Sequence, residues 1–261
     1  MKNCILYLSH VINDDIVNRF KKLKKDVESS YDVYFIFDSG SNDYEKTKKY
    51  SDTIDFTYIK STDLSFLGYK RFNENFSDGN VFWFIQYFVT ILNHEEYDNY
   101  WLMEYDVVFN GNYNIFFKDI DENLNQDFIT QDIMSYRDDE NWWWWSKESG
   151  FMLNGKYFKY DLSKLLKSFN PIFRLSKNAI LYLDEFLKEN DVFGHYEYLL
   201  PTLLHNNNFS IFSINNDKQL SFTNDKFNKK YSNENTFKYR PNKTRIDMLI
   251  YGRNMLYHPL K

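Results

Sequence analysis

The sequence predicts an α/β fold in which a mostly parallel sheet carries helices on its faces. Three observations lead to this prediction. The N-terminal part alternates strand, helix and strand patterns, which is typical of parallel strands joined by crossovers. A very apolar strand, Tyr100–Phe109, follows a helical pattern further along the chain. No internal repeat and no Gly/Ser-rich or Pro-rich linker divides the chain, so we expect a single domain over 1–261.

Each element is predicted by its own pattern. Cys4–Ser9 is a short apolar run, and Asn13 then caps an amphipathic helix over Asp14–Val27 with an acidic first turn and a basic last turn. Tyr31–Phe37 is a β-branched and aromatic strand that ends at a Ser-Gly turn. The later predicted elements are a strand at Asp55–Ile59, a helix at Gly79–Leu92, the strand at Tyr100–Phe109, a helix at Ser176–Glu189, a short apolar segment at Tyr196–His205 and a strand at Phe209–Ile214. The pattern dissolves between Asp127 and Gly155, and Asn215–Arg245 is typical of a long polar loop.

The composition excludes several classes of protein. The chain has 261 residues and a net charge of −5, which argues against a nucleic-acid protein held by bulk charge. One Cys cannot form an intrachain disulfide, so a stapled secreted scaffold is excluded. Aromatic residues make up 20% of the chain and supply ample apolar surface to bury, so the chain is not predicted to be disordered.

The chain shows no targeting or membrane-spanning pattern. Its first apolar run is too short for a signal peptide, and the longest apolar stretch, Val81–Leu92, is shorter than the roughly 20 residues that span a bilayer. We therefore expect a soluble cytoplasmic protein. Peripheral contact with the inner face of a membrane, or a lipid-linked acceptor, stays open as a further partner.

Two carboxylates stand at the end of the apolar strand. Glu104 and Asp106 are two residues apart, which places both on one face of an extended chain. Carboxylates at the carboxyl end of a parallel strand offer the oxygen ligands that a hard divalent cation needs, and ligands bind at that end of open α/β sheets. The alternative is that both residues cap the strand and bond a neighbouring loop.

The segment Tyr-Trp-Leu-Met-Glu-Tyr-Asp-Val-Val-Phe-Asn-Gly, residues 100–111, resembles the acidic motif of GT-A-fold nucleotide-sugar glycosyltransferases. The resemblance implies a GT-A-like mixed, mostly parallel sheet, with a nucleotide-sugar-binding half at 1–110 and an acceptor-binding half at 111–261. It also implies that Asp106 contacts Mn²⁺ or Mg²⁺ held against the donor diphosphate. Glu104 stands where the family more often has Asp, so its role is a metal, ribose or water contact.

The resemblance assigns further residues to the donor. Ser9, His10 and Asp38 lie at strand ends where nucleoside contacts usually fall in this family. Lys70 and Arg71 follow the third strand near the expected diphosphate, although a solvated charge pair is the alternative for both.

The C-terminal segment adds another pair. His258 and Lys261 resemble the end of some GT-A enzymes, in which the His is a metal ligand and the Lys contacts the diphosphate; an exposed tail is the alternative. The apolar run Met248–Leu256 should dock this tail on the body of the protein.

Two candidates concern the acceptor and the reaction. Glu197 resembles the acidic residue that serves some inverting GT-A enzymes as the base, and the alternative is a carboxylate that favours a helix N-terminus. Arg174 is one of 7 Arg in a Lys-rich chain, which suggests a bidentate contact to an acceptor or a structural ion pair.

The run Trp142, Trp143, Trp144 and Trp145 is the remaining aromatic signal. Successive residues point apart in regular structure, so four Trp cannot all face one core. Indole faces stack on sugars, and we predict an acceptor platform; a loop packed on the body or a partner-binding patch is the alternative.

We therefore predict a metal-dependent glycosyltransferase that moves a sugar from a nucleoside-diphosphate donor to a saccharide acceptor, in surface polysaccharide or lipooligosaccharide synthesis. One rival is a sugar nucleotidyltransferase, although Ser9 to Asn13 has no Gly-rich phosphate loop. The other is a non-catalytic carbohydrate-binding protein that uses the Trp run. The sequence does not distinguish donor sugar, acceptor, stereochemistry or oligomeric state.

Overall fold

A computed structural model describes most of the chain. The described residues are 2–59, 68–69, 85–94, 96–142, 145, 151–158, 161–214, 226–227 and 229–260. The strands are β1 (Asn3–Ser9), β2 (Tyr31–Asp38), β3 (Phe56–Ile59), β4 (Asn99–Glu104), β5 (Val108–Phe109), β6 (Phe128–Ser135), β7 (Phe151–Leu153), β8 (Lys156–Phe158), β9 (Leu166–Ser176), β10 (Val192–Phe193), β11 (Ile211–Ser213) and β12 (Leu256–Tyr257). The helices are α1 (Asp14–Val27), α2 (Ile85–His94), α3 (Tyr113–Asn123), α4 (Lys177–Glu189), α5 (Tyr196–Asn206) and α6 (Arg245–Ile250).

Within the described residues, seven strands form the main sheet in the order β11-β6-β9-β4-β1-β2-β3. β3, β2, β1 and β4 pair in parallel, as do β6 and β11, whereas β9 runs antiparallel to both β4 and β6. The carboxyl ends of all the parallel strands therefore meet at one edge of the sheet. This confirms the predicted fold class, a mixed and mostly parallel sheet flanked by helices.

Alternating side chains of β1 pack into two apolar cores, one on each face of the sheet. Leu6 packs in a core with residues of α2, α4 and α5, and Tyr7 packs in a core with residues of α1 and α3. This alternation arises because successive residues of a strand point to opposite faces. Burial on both faces explains why the central strands are apolar without a polar period.

The helix caps follow the sequence closely. The Asn13 side chain accepts a hydrogen bond from Ile16 N at 2.9 Å, and Ser176 Oγ accepts one from Ala179 N at 3.2 Å. Each bond satisfies one of the amide groups that a helix start leaves unpaired. The two caps confirm the predicted starts of α1 and α4. None of the helices in the described residues has the length and apolar character needed to cross a bilayer.

The structure corrects two predicted strands and adds one that was not predicted. The strand predicted over Tyr100–Phe109 is two strands, β4 and β5, because a turn closed by Val107 N and Glu104 O interrupts the ladder. The region after Asp127, where no pattern was visible, contains β6, whose buried polar residues hide the strand period. The predicted strand Phe209–Ile214 is shorter, Ile211–Ser213. The first part of the predicted helix at Gly79 lies outside the described residues.

Candidate metal and nucleotide site

The two carboxylates of the motif lie at the carboxyl edge of the sheet. Glu104 ends β4, opposite Leu8 of β1, and Tyr105 N donates to Leu8 O at 2.9 Å. The turn that follows closes with Val107 N donating to Glu104 O at 3.0 Å. Asp106 therefore sits inside the turn, where its side chain is buried, whereas Glu104 stays partly exposed.

The C-terminal segment reaches the same turn through backbone bonds. β12 pairs antiparallel with β5, so that Tyr257 lies opposite Val108. Leu260 N then donates to Asp106 O at 2.9 Å, and Arg19 donates to Leu260 O at 3.1 Å. These bonds hold the residues on both sides of His258 against the turn that contains Asp106. His258 is buried there, so the alternative of an exposed tail is wrong for this residue.

Glu104, Asp106 and His258 form a cluster of potential metal ligands. One ligand atom from each lies within 4.8 Å of the others. His258 Nε2 is 3.6 Å from Asp106 Oδ1 and 3.9 Å from Glu104 Oε2. The other ring nitrogen, Nδ1, lies 3.1 Å from Lys238 O. Because a carbonyl oxygen accepts only, this bond places a ring proton on Nδ1, and it directs Nε2 toward the carboxylates, as in many metal sites.

The donor set fits a divalent cation. Asp106 Oδ1 is buried and has no hydrogen-bond partner in the described part of the chain, a costly state that a bound cation would relieve. Burial, with the nearby Asp106 and Glu197 carboxylates, raises the pKa of Glu104 to about 8. Two carboxylates supply the oxygen ligands that Mg²⁺ or Mn²⁺ takes, and the imidazole adds a nitrogen ligand.

Glu197 lies near this cluster, in the first turn of α5. His195 is the N-cap of that helix, and Ser168 Oγ donates to Glu197 O at 3.2 Å. Burial raises the pKa of Glu197 to about 8, while Lys167 and the backbone N–H of Asn170 counteract the shift. A carboxyl with a raised pKa is a stronger proton acceptor near neutral pH than an ordinary Glu.

A cleft of about 610 Å³ opens beside the carboxylates, at the ends of β1, β2 and β4. The predicted nucleoside contacts Ser9, His10 and Asp38 all line it, together with Glu104. The His10 ring meets the edge of the Tyr105 ring at a centroid distance of 5.3 Å. The cleft is lined by Leu8, Ser9, His10, Val11, Asp38, Gly40, Ser41, Asn42, Asp43, Tyr87, Glu104 and Tyr105.

The sequence prediction missed the loop after β2 as part of this cleft. Asp43 accepts a hydrogen bond from Ile12 N at 3.1 Å, and Ser41 Oγ donates to His10 O. These bonds fasten the loop to the end of β1. The signal was the Ser-Asn-Asp sequence at 41–43, because these residues commonly bond backbone groups in turns.

The described part of the Trp run packs beside Glu197. The Trp142 and Trp145 rings are 4.9 Å apart, and Trp142 lies 6.1 Å from the His195 ring at the start of α5. Lys167 Nζ stands 4.8 Å from the Trp142 ring centre. Both indoles are partly buried and pack on the body of the protein at α5, where Trp145 lies 5.9 Å from the Tyr198 ring.

Arg174 corrects the prediction of an acceptor contact. Its side chain is fully buried in β9, where NH1 contacts Asp121 Oδ1 at 2.5 Å. NH2 donates to the carbonyl oxygens of Leu124 and Gln126. A guanidinium enclosed in this way cannot reach a sugar in an open cleft, and the structural ion pair is the correct interpretation.

Five other predicted site residues lie outside the described residues. They are Lys70, Arg71, Trp143, Trp144 and Lys261. The roles assigned to them stay predictions.

No protein-family model matches the chain, and no curated protein matches it. Solved structures do match. The bifunctional IspDF from Campylobacter jejuni is 12% identical with a TM-score of 0.40, over 82% of this chain and 49% of that one. A CMP:2-keto-3-deoxy-manno-octonic acid synthetase complexed with CTP is 9% identical with a TM-score of 0.37, over 71% and 78%. The galactosyltransferase LgtC, in complex with donor and acceptor sugar analogs, is 10% identical with a TM-score of 0.37, over 77% and 69%. At these TM-scores the matches do not identify the reaction of this protein.

Proposed function

We propose that this protein is a metal-dependent glycosyltransferase that moves a sugar from a nucleoside-diphosphate donor to a saccharide acceptor. The observation that carries the proposal is the cluster of Glu104, Asp106 and His258 on the carboxyl edge of the sheet, in which Glu104 also lines a cleft of about 610 Å³. Ligands of open α/β folds bind at this edge. A nucleoside fits the cleft, and its diphosphate then lies against the three ligands.

The cation would be held by Asp106, Glu104 and His258. When bound, it offsets the negative charge that develops on the departing nucleoside diphosphate. The protein contributes the orientation of these ligands, because the bond from His258 Nδ1 to Lys238 O sets the ring and the turn after β4 sets Asp106. Two further carboxylates, Asp38 and Asp43, line the cleft. An ionised carboxylate accepts hydrogen bonds, so these side chains suit the hydroxyl groups of a ribose or the N–H groups of a base, and they would repel a phosphate without a cation.

Glu197 is the proposed base that takes the proton of the acceptor hydroxyl. Its partly buried carboxyl and raised pKa support this role, as does the influence of its charge on Glu104. Trp142 and Trp145, which pack against the start of α5, would border the acceptor. A base of this kind implies inversion at the transferred carbon. We place the reaction in the cytoplasm, in surface polysaccharide or lipooligosaccharide synthesis.

The proposal is tested with a panel of nucleoside-diphosphate sugars, measuring donor hydrolysis and transfer with Mn²⁺, with Mg²⁺ and with EDTA. We expect one donor class to turn over with metal, and Asp106→Asn to lower its rate by about a hundredfold or more, because the cation loses a ligand. Asp14→Asn, a carboxylate change on the surface of α1, is the matched control and should act like wild type.

Three outcomes would contradict the proposal. Equal rates for wild type and Asp106→Asn, with and without EDTA, would remove the metal assignment. Release of pyrophosphate from a nucleoside triphosphate and a sugar phosphate, with no glycosyl transfer, would identify a nucleotidyltransferase. Saccharide binding that ignores nucleotide and metal would favour the carbohydrate-binding alternative.

A further inference from the structure

An apolar surface stands open to solvent around α6. It consists of Tyr239, Ile246, Leu249, Ile250 and Tyr251, hereafter the α6 surface. Their exposed fractions are 69%, 67%, 85%, 66% and 40%. Large apolar side chains clustered at such exposure are uncommon on soluble proteins and mark contact sites. The surface corrects part of the sequence expectation: in the run Met248–Leu256 the side chains of Met255 and Leu256 are buried, whereas Leu249, Ile250 and Tyr251 are exposed.

The α6 surface is held in a defined shape. Ile246, Leu249 and Ile250 are spaced i, i+3 and i+4, which puts them on one face of the helix. Thr244 caps that helix in a reciprocal pair with Asp247, with Thr244 N donating to Asp247 Oδ2 at 2.7 Å. The three aliphatic side chains are thus presented together before any partner binds.

The segment that carries this apolar face is rich in basic residues. Residues 238–253 contain five basic side chains and one acidic one, a net charge of +4 within a chain of net charge −5, and of the five only Lys243 is buried. Arg240 and Arg253 are exposed, and the Arg240 guanidinium lies 5.2 Å from the Tyr239 ring centre. Arg245 is exposed as well and pairs with Asp15 at 2.6 Å. Three of the 7 Arg of the chain therefore fall in this short segment.

We propose that the α6 surface docks the protein on an anionic lipid bilayer. Aliphatic side chains flanked by arginines and tyrosines match the headgroup region, where apolar groups insert, aromatic rings lie at the boundary and guanidinium groups contact phosphates. The charge favours an anionic bilayer, which presents the opposite sign to the exposed arginines. A symmetric dimer through the same face is disfavoured, because it would bring two basic segments together.

The α6 surface is tied to the metal cluster. Asn110 Nδ2 donates to Gly252 O at 2.5 Å and to Met248 O at 3.3 Å, and Asn110 Oδ1 accepts from Met255 N at 2.8 Å. β12 and His258 follow directly. A bilayer bound at α6 is thereby attached to the segment that carries one of the three metal ligands.

The test is flotation of the full chain with vesicles of phosphatidylcholine, or of phosphatidylcholine mixed with phosphatidylglycerol, without nucleotide or metal. We expect binding to the anionic vesicles that weakens with salt. Ile246→Asn with Leu249→Asn should lower it by about tenfold, and Arg240→Gln with Arg253→Gln by about tenfold or more. Leu181→Asn, an exposed leucine of α4, is the matched control and should bind like wild type.

The arginine variant tests the proposal even if the aliphatic variant misfolds, because Arg240 and Arg253 are exposed and their replacement by Gln leaves the core intact. Wild-type protein that does not float with anionic vesicles would overturn the proposal. So would arginine and aliphatic variants that float like wild type. A dimer in light scattering that the aliphatic variant abolishes, with no vesicle binding, would assign the α6 surface to a second copy. Since no substrate is present, these outcomes are independent of the proposed glycosyl transfer.

Discussion

Asp121 shows how one side chain can join several elements. Its carboxylate accepts hydrogen bonds from Arg174 of β9 at 2.5 Å, Tyr31 of β2 at 2.7 Å and Asn3 of β1 at 2.8 Å. Trp101 Nε1 of β4 approaches both of its oxygens at 3.3 Å. A buried carboxylate is tolerated only when it is paired and hydrogen-bonded in this way. Arg174 therefore has a structural role, because its guanidinium group bonds Asp121 and two backbone carbonyls in the interior of the protein.

We predict that Arg174→Met lowers the free energy of unfolding by about 3–5 kcal/mol, because Asp121 keeps its charge without its cation. Urea denaturation measures the change. Nucleotide binding by the folded protein should stay at the wild-type level.

The double variant Arg174→Met with Asp121→Asn provides the comparison. It should be more stable than Arg174→Met alone, since no buried charge is left uncompensated. A single variant as stable as wild type would show that the pair contributes little.

At the scale of elements, the C-terminal strand pair decides where His258 lies. β12 has two residues and could not hold itself to β5 by its ladder alone. Asn110 adds three side-chain bonds, one to Met248 of α6 and two to the loop between α6 and β12. These bonds make the metal cluster dependent on a residue that contacts no metal ligand.

We predict that Asn110→Ala lowers the affinity for Mn²⁺ by about tenfold, because His258 loses its fixed position. Isothermal titration calorimetry measures the affinity. The N-cap variant Ser176→Ala is the control, and it should cost about 1 kcal/mol of stability while the affinity is unchanged. An Asn110→Ala protein that binds Mn²⁺ like wild type would contradict the positioning role.

Elements with a strong local pattern were predicted well, and elements that depend on neighbours were not. α1 and α4 have amphipathic periods and caps, which a single segment displays. β6 contains buried Thr130 and Gln131, whose side chains bond Asn170 and Ser232 from distant parts of the chain. Polar groups of β6 thus find partners in distant parts of the chain, and no local pattern could reveal this segment as a strand of the main sheet.

For the whole molecule, the metal cluster links regions far apart in sequence. Glu104 and Asp106 come from the middle of the chain and His258 from its end, and the unfolded chain does not bring them together. Any cation held by all three therefore binds the folded state in preference to the unfolded state. Binding of this kind raises stability in proportion to the logarithm of ligand concentration.

We predict that Mn²⁺ at about a hundredfold excess over its dissociation constant adds about 2.7 kcal/mol of stability. For a chain of this size the melting temperature then rises by about 5–10 °C. Differential scanning fluorimetry with and without EDTA measures the shift. His258→Ala should reduce it and Asp106→Asn should abolish it, and a full shift in Asp106→Asn would show that Mn²⁺ binds elsewhere.

The sequence by itself determined the fold class, the first βαβ pattern, two helix caps and the carboxylates at the end of β4. These features are local, because strand and helix periods, capping side chains and a polar interruption of an apolar strand are visible within a few residues. The resemblance to glycosyltransferases rested on the same short segment.

Only the tertiary structure decided which residues meet. It brought His258 to Asp106 through β12 and β5, gathered Ser9, His10 and Asp38 around one cleft, and enclosed Arg174 against Asp121. It also left α6 exposed while the residues after it were buried. The physical reason is that these outcomes depend on contacts between segments far apart in the chain, whose partners no local pattern specifies.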